Sequence, residues 1–229
     1  MYGLSERLRL AATLVPDNAR VCDVGTDHGY LAAALYKSGR VKSVIATDIN
    51  EKPLAHAAES IKRLKADGVE LRLCDGLAGV SPQEVDTVII AGMGGEVISG
   101  ILSRAEWVKN QDITLILQPM TSAWELRSFL YKNGFNILRE PCLSEKGKVY
   151  SVILARFDGI CRPADMFSCC MGEIKADSTA GTEYIKKQYK RCQQCACKLS
   201  GVEGKQAEFE EYSTTALKLK KLLEEHNAF

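Results

Sequence analysis

The sequence predicts an α/β domain built on a mostly parallel sheet, ended by an antiparallel hairpin and followed by a C-terminal pair of helices. Three observations carry this reading. Short, nearly continuous apolar runs alternate with amphipathic stretches over residues 1–160, the pattern of strands buried on both faces by crossover helices. Two strand-like runs at 135–143 and 148–157 then follow each other directly, joined only by a Ser144-Glu145-Lys146-Gly147 turn, which is hairpin spacing. Beyond Pro163 the strand signal ends and helical periodicity takes over.

Taken in order, strands are expected at 20–25, 43–49, 69–74, 87–91 and 113–118, each a short apolar run. The clearest helix between them spans 53–64, where Leu54, Ala57, Ala58, Ile61 and Leu64 recur every three or four residues. A second opens on a capping box, Ser122-Ala123-Trp124-Glu125, buries Leu126, Leu130 and Tyr131, and stops at Gly134. In the tail, Ile185, Tyr189, Cys192, Ala196 and Leu199 form one seam. Phe209, Tyr212, Ala216, Leu219 and Leu223 form another, and the polar stretch 200–204 separates the two. Paired seams predict a helical hairpin. The chain is therefore divided into an α/β domain, residues 1–160, and a helical hairpin, residues 161–229.

Composition limits the options. At 229 residues, 46% hydrophobic and 26% charged, the chain reads as globular rather than disordered or fibrous. No apolar run approaches the ~18 residues of a membrane span, and charges occupy the start where an export signal needs an apolar stretch. A soluble, cytoplasmic protein is expected, with its nine cysteines reduced. Thirty Lys/Arg against 29 Asp/Glu leave a net charge of +1, so a nucleic-acid partner has to be held by a local patch.

The strongest local signal is the first strand-to-helix turn, Asp23-Val-Gly25-Thr26-Asp27-His28-Gly29-Tyr30-Leu31. Ligands of doubly wound sheets bind beyond the carboxyl ends of the strands, where glycine lets backbone come close. A dinucleotide site uses G-x-G-x-x-G to seat a diphosphate on a helix N-terminus. Here Gly25 and Gly29 lie four apart with Asp27 between them, and that carboxylate repels a diphosphate. It does not repel S-adenosylmethionine, whose sulfonium and amino groups are cationic. Asp48 follows about 20 residues on, where an acid accepts from ribose hydroxyls, and Asp75 closes the third strand within reach of an adenine. Each acid alone is a common cap or turn residue; three strand-end acids in succession are not. Ala91-Gly-Met-Gly-Gly95 ends the fourth strand across the switch point, and Gln118 ends the fifth with an amide able to read a base edge.

With these residues the chain resembles the class I S-adenosylmethionine-dependent methyltransferases. More narrowly it resembles the bacterial tRNA (adenine(22)-N(1))-methyltransferase (TrmK) family. Leu4-Ser-Glu-Arg-Leu8, the 23–31 turn, Ala46-Thr-Asp-Ile49, the 91–95 glycines, Leu117-Gln-Pro119, Leu126-Arg127 and the helical tail all match. The resemblance implies a Rossmann-like sheet and S-adenosylmethionine as cofactor. Asp23, Gly25, Thr26, Asp27 and Gly29 would face the methionine part of the donor. Asp48 and Ile49 would hold the ribose, Asp75 and Gly76 the adenine. The target base would approach over Gly92, Met93 and Gly94, beside Gln118. Asp27, His28, Tyr30, Met93 and Gln118 are then the candidates for orienting base and donor, although a histidine such as His28 is as often a plain turn residue. The [DN]-P-P-[FYW] string of enzymes that methylate the exocyclic amine is absent, which is compatible with attack by the ring nitrogen.

Basic residues Arg7 and Arg9 near the start, and Lys186, Lys187, Lys190 and Arg191 in the tail, are expected to contact tRNA phosphates, a role a solvated helix face mimics. Cys192-Gln-Gln-Cys195-Ala-Cys197 sits within a helical seam and lacks a second knuckle, so core thiols are expected there and no metal. A cysteine nucleophile has no thiol at the mouth of the fourth or fifth strand. Neither a membrane nor an oligomer is required. Another methyltransferase of RNA or a small molecule, or a non-catalytic RNA-binding protein on the same fold, remains the alternative.

Overall fold

The computed structural model describes residues 4–226. Its main sheet has seven strands in the order β3-β2-β1-β4-β5-β9-β6. Strands β1 (Arg20–Val24), β2 (Ser43–Asp48), β3 (Val69–Leu73), β4 (Thr87–Gly94) and β5 (Thr114–Thr121) run parallel. Their central residues are apolar because both faces are covered: Val21, Cys22, Val88, Ile89, Ile90, Leu115, Ile116 and Leu117 are fully buried. Helices α1 (Glu6–Thr13), α2 (Tyr30–Lys37), α3 (Glu51–Arg63), α4 (Gly95–Arg104) and α5 (Ala123–Lys132) supply the cover. On α3 the buried stripe is Ala57, Ser60 and Ile61, so Ser60 takes the inward place expected of Ala58.

Four local expectations need correction. β3 ends at Leu73, leaving Cys74 and Asp75 outside the strand. The fourth strand, expected at 87–91, runs on through the glycine-rich segment to Gly94, with register shifts around Met93 that make it a bulged strand. Ser122 does not cap α5; its φ of 52° is left-handed and its side chain accepts no capping bond. Glu125 instead faces Glu96 of α4, whose carboxyl is raised by the hydrogen bond they share.

The fourth correction concerns the hairpin, which splits. β6 (Phe135–Arg139) and β9 (Ile153–Phe157) pair antiparallel in the main sheet, with β9 inserted between β5 and β6. β7 (Cys142–Glu145) and β8 (Lys148–Ser151) form a separate two-stranded sheet. The break falls at Glu140-Pro141: proline has no N–H for the ladder, and Glu140 turns into the core. The Val152 N–H donates to the Pro141 carbonyl at 3.0 Å and bridges the gap.

The tail adds α6 (Met166–Met171), α7 (Thr179–Leu199) and α8 (Gln206–Glu225). The two seams pair as expected, with Ile185, Cys192, Leu219 and Leu223 fully buried. Helix α6 adds a short element ahead of the pair; its signal is local, since the Asp165 carboxylate accepts from the Ser168 N–H at 2.7 Å as an N-cap. Tail residues share one apolar cluster with Val149 of β8.

A buried ion pair ties the halves together. Arg127 of α5 and Glu140 are both fully buried, 2.6 Å apart. All five guanidinium N–H groups find acceptors: Nε and one Nη2 proton on Glu140, the Nη1 pair on the carbonyls of Cys169 and Cys170, and the rest on the Tyr184 hydroxyl. Glu140 also accepts from the Ser151 hydroxyl and the Glu173 N–H. Among the described residues, no helix is long and apolar enough to cross a membrane.

Candidate active site

The carboxyl ends of β1, β2, β4 and β5 meet at the switch point between β1 and β4. The β1–α2 turn is tied to β2 by the Gly25 and Thr26 N–H groups, which donate to the Thr47 carbonyl at 2.8 and 2.9 Å. Gly25 has a φ of +70°, and a Cβ there would meet the Met93 methyl at 2.0 Å. The turn and the β4 bulge thus close on each other across the switch point, and a side chain at Gly25 would have to displace the end of Met93.

Asp23 is buried at the end of β1 and accepts from the Thr26 hydroxyl at 2.8 Å. Burial pushes its carboxyl up to about 6, opposed by the hydrogen bonds from Thr26 and the Ala32 amide and reinforced by Asp48. Asp48 accepts from the backbone N–H of Asp27 at 3.3 Å and of Asn50 at 3.0 Å. A carboxylate has about four lone-pair sites, so it retains acceptor capacity for two hydroxyls. Ile49 beside it is 61% exposed, a large apolar side chain left open next to the acid. Asp75, in contrast, is held by Arg104 of α4 at 3.1 Å, with both side chains more than half exposed. Gly76 accepts from the Thr47 hydroxyl at 3.1 Å.

Asp27 is exposed with φ 52°, and His28 stacks on Tyr30 and on His56, at 5.6 and 5.4 Å between ring centroids. The Tyr30 hydroxyl accepts from Arg63 at 3.3 Å. Gly92, at φ +84°, marks the β4 bulge, and Gly94 lies opposite Thr121. Gln118, expected to end the fifth strand, is instead fully buried inside β5, which runs on to Thr121; its Nε2 donates to the Pro119 carbonyl at 3.0 Å, while its Oε1 is buried without a hydrogen-bond partner among the described residues.

The expected phosphate-binding residues do not form one patch. Arg7 is held by Glu145 at 3.5 Å, and Arg9 pairs with Glu6 at 3.5 Å. On α7, Lys186 borders a cavity with Glu183 and His226, whereas Lys187 and Arg191 line a different cleft with Trp124 and Tyr150. These two aromatics had no periodic or motif signal and only the fold brings them together. Of the tail cysteines, Cys192 is buried, Cys195 half-buried and Cys197 exposed, and among the described residues no three His, Cys, Asp or Glu cluster to hold a metal.

An acid-lined, glycine-walled switch point on this sheet is the architecture of a class I methyltransferase, and the methyltransferase-domain family profile matches residues 4–153. The chain is 33% identical to the tRNA (adenine(22)-N(1))-methyltransferase of Bacillus subtilis over 71% of its length and 72% of that protein. It belongs to this tRNA (adenine(22)-N(1))-methyltransferase family. Solved structures agree: the B. subtilis m1A22 tRNA methyltransferase TrmK superposes with a TM-score of 0.80 at 26% identity, covering 98% of this chain and 99% of that one. A Streptococcus pneumoniae protein solved in complex with S-adenosyl-L-methionine superposes with a TM-score of 0.78 at 29% identity, covering 96% and 99%.

Proposed function

We propose that this enzyme transfers a methyl group from S-adenosylmethionine to N(1) of adenine 22 in tRNA. The observation that carries the reading is the pairing of two buried strand-end acids, Asp23 and Asp48, with the Gly25–Met93 closure, in a chain of this family. The residues present fit the donor. Asp23 offers a carboxylate to a cationic amino group, Asp48 two free acceptor sites to ribose hydroxyls, and Ile49 an apolar face to a flat ring.

Bound S-adenosylmethionine supplies an electrophilic methyl group on a sulfonium sulfur. The adenine N(1) carries an in-plane lone pair at neutral pH, so the protein has no proton to remove before attack. Its task is to hold the base in line and to provide a suitable field. The unpaired Gln118 Oε1 is buried and would have to be uncovered before it accepted the adenine amino group, and the His28–Tyr30 rings beside Asp27 would flank the base. A base within the tRNA fold has to be turned out to reach this point. Asp75, engaged by Arg104, would have to release it before contacting an adenine. Residues 1–160 would carry the chemistry and 161–229 would position the RNA.

The test is methyl incorporation from labelled donor into an unmodified tRNA transcript with adenine at position 22, beside the same transcript with guanine there. Label in the first alone is expected; label in both would discard the position, and label in neither, with the donor shown to bind, would discard the substrate.

A further inference from the structure

A cleft of about 230 Å³ opens directly beyond Gln118, and three separate segments build it. Pro119 and Met120 continue β5 as its floor. Trp124, 41% exposed in the first turn of α5, forms one wall, and Tyr150 of β8 forms another. Lys187 and Arg191, one turn apart on α7, form the rim. The Arg191 guanidinium lies 5.9 Å from the centre of the Trp124 ring. Neither Lys187 nor Arg191 takes part in an ion pair among the described residues, unlike Arg7 and Arg9, and Arg191 is shared with the Tyr212 hydroxyl of α8. Pockets for drug-sized ligands run to about 300–1,000 Å³, so this cleft suits one planar ring.

Aromatic walls with a cationic rim that has no carboxylate partner are the chemistry of a single-stranded nucleotide site: the ring stacks and the phosphate meets the cations. An acidic peptide would use the rim and leave Trp124 idle. The cleft is also rigidly placed. Tyr184, one turn before Lys187, is bonded to the buried Arg127, and Ser151, next to Tyr150, is bonded to Glu140.

We propose that this cleft holds a nucleotide adjacent to the target adenine in the same tRNA, its base on Trp124 and Tyr150 and its phosphate on Lys187 and Arg191. Gripping the neighbour keeps the turned-out adenine from restacking. The proposal rests on tRNA being the substrate. It adds Trp124, Tyr150, Lys187 and Arg191 as positioning residues one nucleotide away from the reaction.

The full-length protein is assayed on intact transcript and on transcripts made abasic immediately 5′ or immediately 3′ of the target. Wild type, Trp124→Ala and Trp124→Phe are compared, with donor binding measured by calorimetry. Loss of one base–aromatic stack is expected to lower kcat/KM for tRNA about 10- to 100-fold in Trp124→Ala. Donor affinity should stay unchanged, and Trp124→Phe should recover most of the loss. One abasic transcript should cost wild type a similar factor and Trp124→Ala less than threefold more. Trp124→Ala within threefold of wild type, or abasic and side-chain losses that multiply at both positions, overturns the subsite. Methylation of the intact transcript by wild type separates the two claims, since its absence sinks the tRNA reading and the subsite with it. A second readout does not depend on Trp124→Ala folding. The chain has two tryptophans, so Trp107→Phe leaves Trp124 as the sole emitter. Intact tRNA should quench it and the matching abasic tRNA should not; equal quenching by both, or none by either, overturns the proposal.

Discussion

A buried carboxylate with no countercharge is costly to the empty protein, and Asp23, which we propose faces the cationic donor, is in that position. Its folded pKa of about 6 lies above the ordinary 3.8. The folded chain therefore takes up a proton between about pH 6 and 4 that the unfolded chain does not. Asp23 thus makes the unliganded protein more stable as pH falls through that window and contributes no pH dependence above it. With Asp23 facing the donor's cationic amino group, as proposed, binding favours the ionised form, so donor affinity should move the opposite way, weakening as pH falls through about 6. Calorimetric titration of S-adenosylmethionine at pH 8, 6.5 and 5 checks the direction. Asp23→Asn should bind the donor at least about tenfold more weakly at pH 8, in line with loss of a charge-assisted hydrogen bond worth roughly 1.5–3 kcal/mol, and should flatten the pH dependence. Unchanged affinity in Asp23→Asn would remove this residue from the site.

Between elements, two glycines of the site make opposite predictions because their neighbours differ. At Gly95, the first residue of α4, a Cβ would lie 2.2 Å from the Ser122 carbonyl oxygen, which is backbone and cannot step aside. Gly95→Ala should separate α4 from α5 and cost roughly 1–3 kcal/mol, read as a lowered urea midpoint. At Gly25 the obstacle is the end of the flexible Met93 side chain, so Gly25→Ala should cost only the ~1–2 kcal/mol of left-handed strain while reducing donor affinity more sharply. Equal effects on stability and binding in the two variants would contradict this. The same scale shows what the sequence makes legible. Asp23, Asp48 and the two turn glycines are readable because the β1 turn and the strand ends are local features with fixed spacing. The split at Glu140-Pro141 is only half readable: Pro141 signals a break in the strand, but the inward turn of Glu140 depends on Arg127 thirteen residues upstream. Ser122 failed as a cap because the close approach of Gly95 fixes its backbone in a left-handed turn. Of the cleft proposed as a nucleotide site, the sequence offers Lys187 and Arg191 as basic residues but not their meeting with Trp124 and Tyr150, because the four come from three elements far apart in the chain.

For the whole molecule, the Arg127–Glu140 network decides whether the tail is an appendage or a part of the fold. Its acceptors lie on α6, α7 and the β6–β7 link, so 1–160 and 161–229 share a buried charge. Arg127→Met leaves Glu140 buried without its partner and should cost about 3–5 kcal/mol; adding Glu140→Met should return part of that loss. Chemical denaturation of both variants measures it, and a double variant less stable than the single would show that the charge pair is not the issue. The same network also sets a clock on the nascent chain. Arg127 leaves the ribosome 57 residues ahead of Tyr184. At about 5–20 residues per second it waits roughly 3–11 s for its last partner to be synthesised. β9, which must enter between β5 and β6, is also made after both of its neighbours. During that interval the growing chain carries an unsealed sheet and an unmatched cation, and it is the stage at which a holdase would find most to bind.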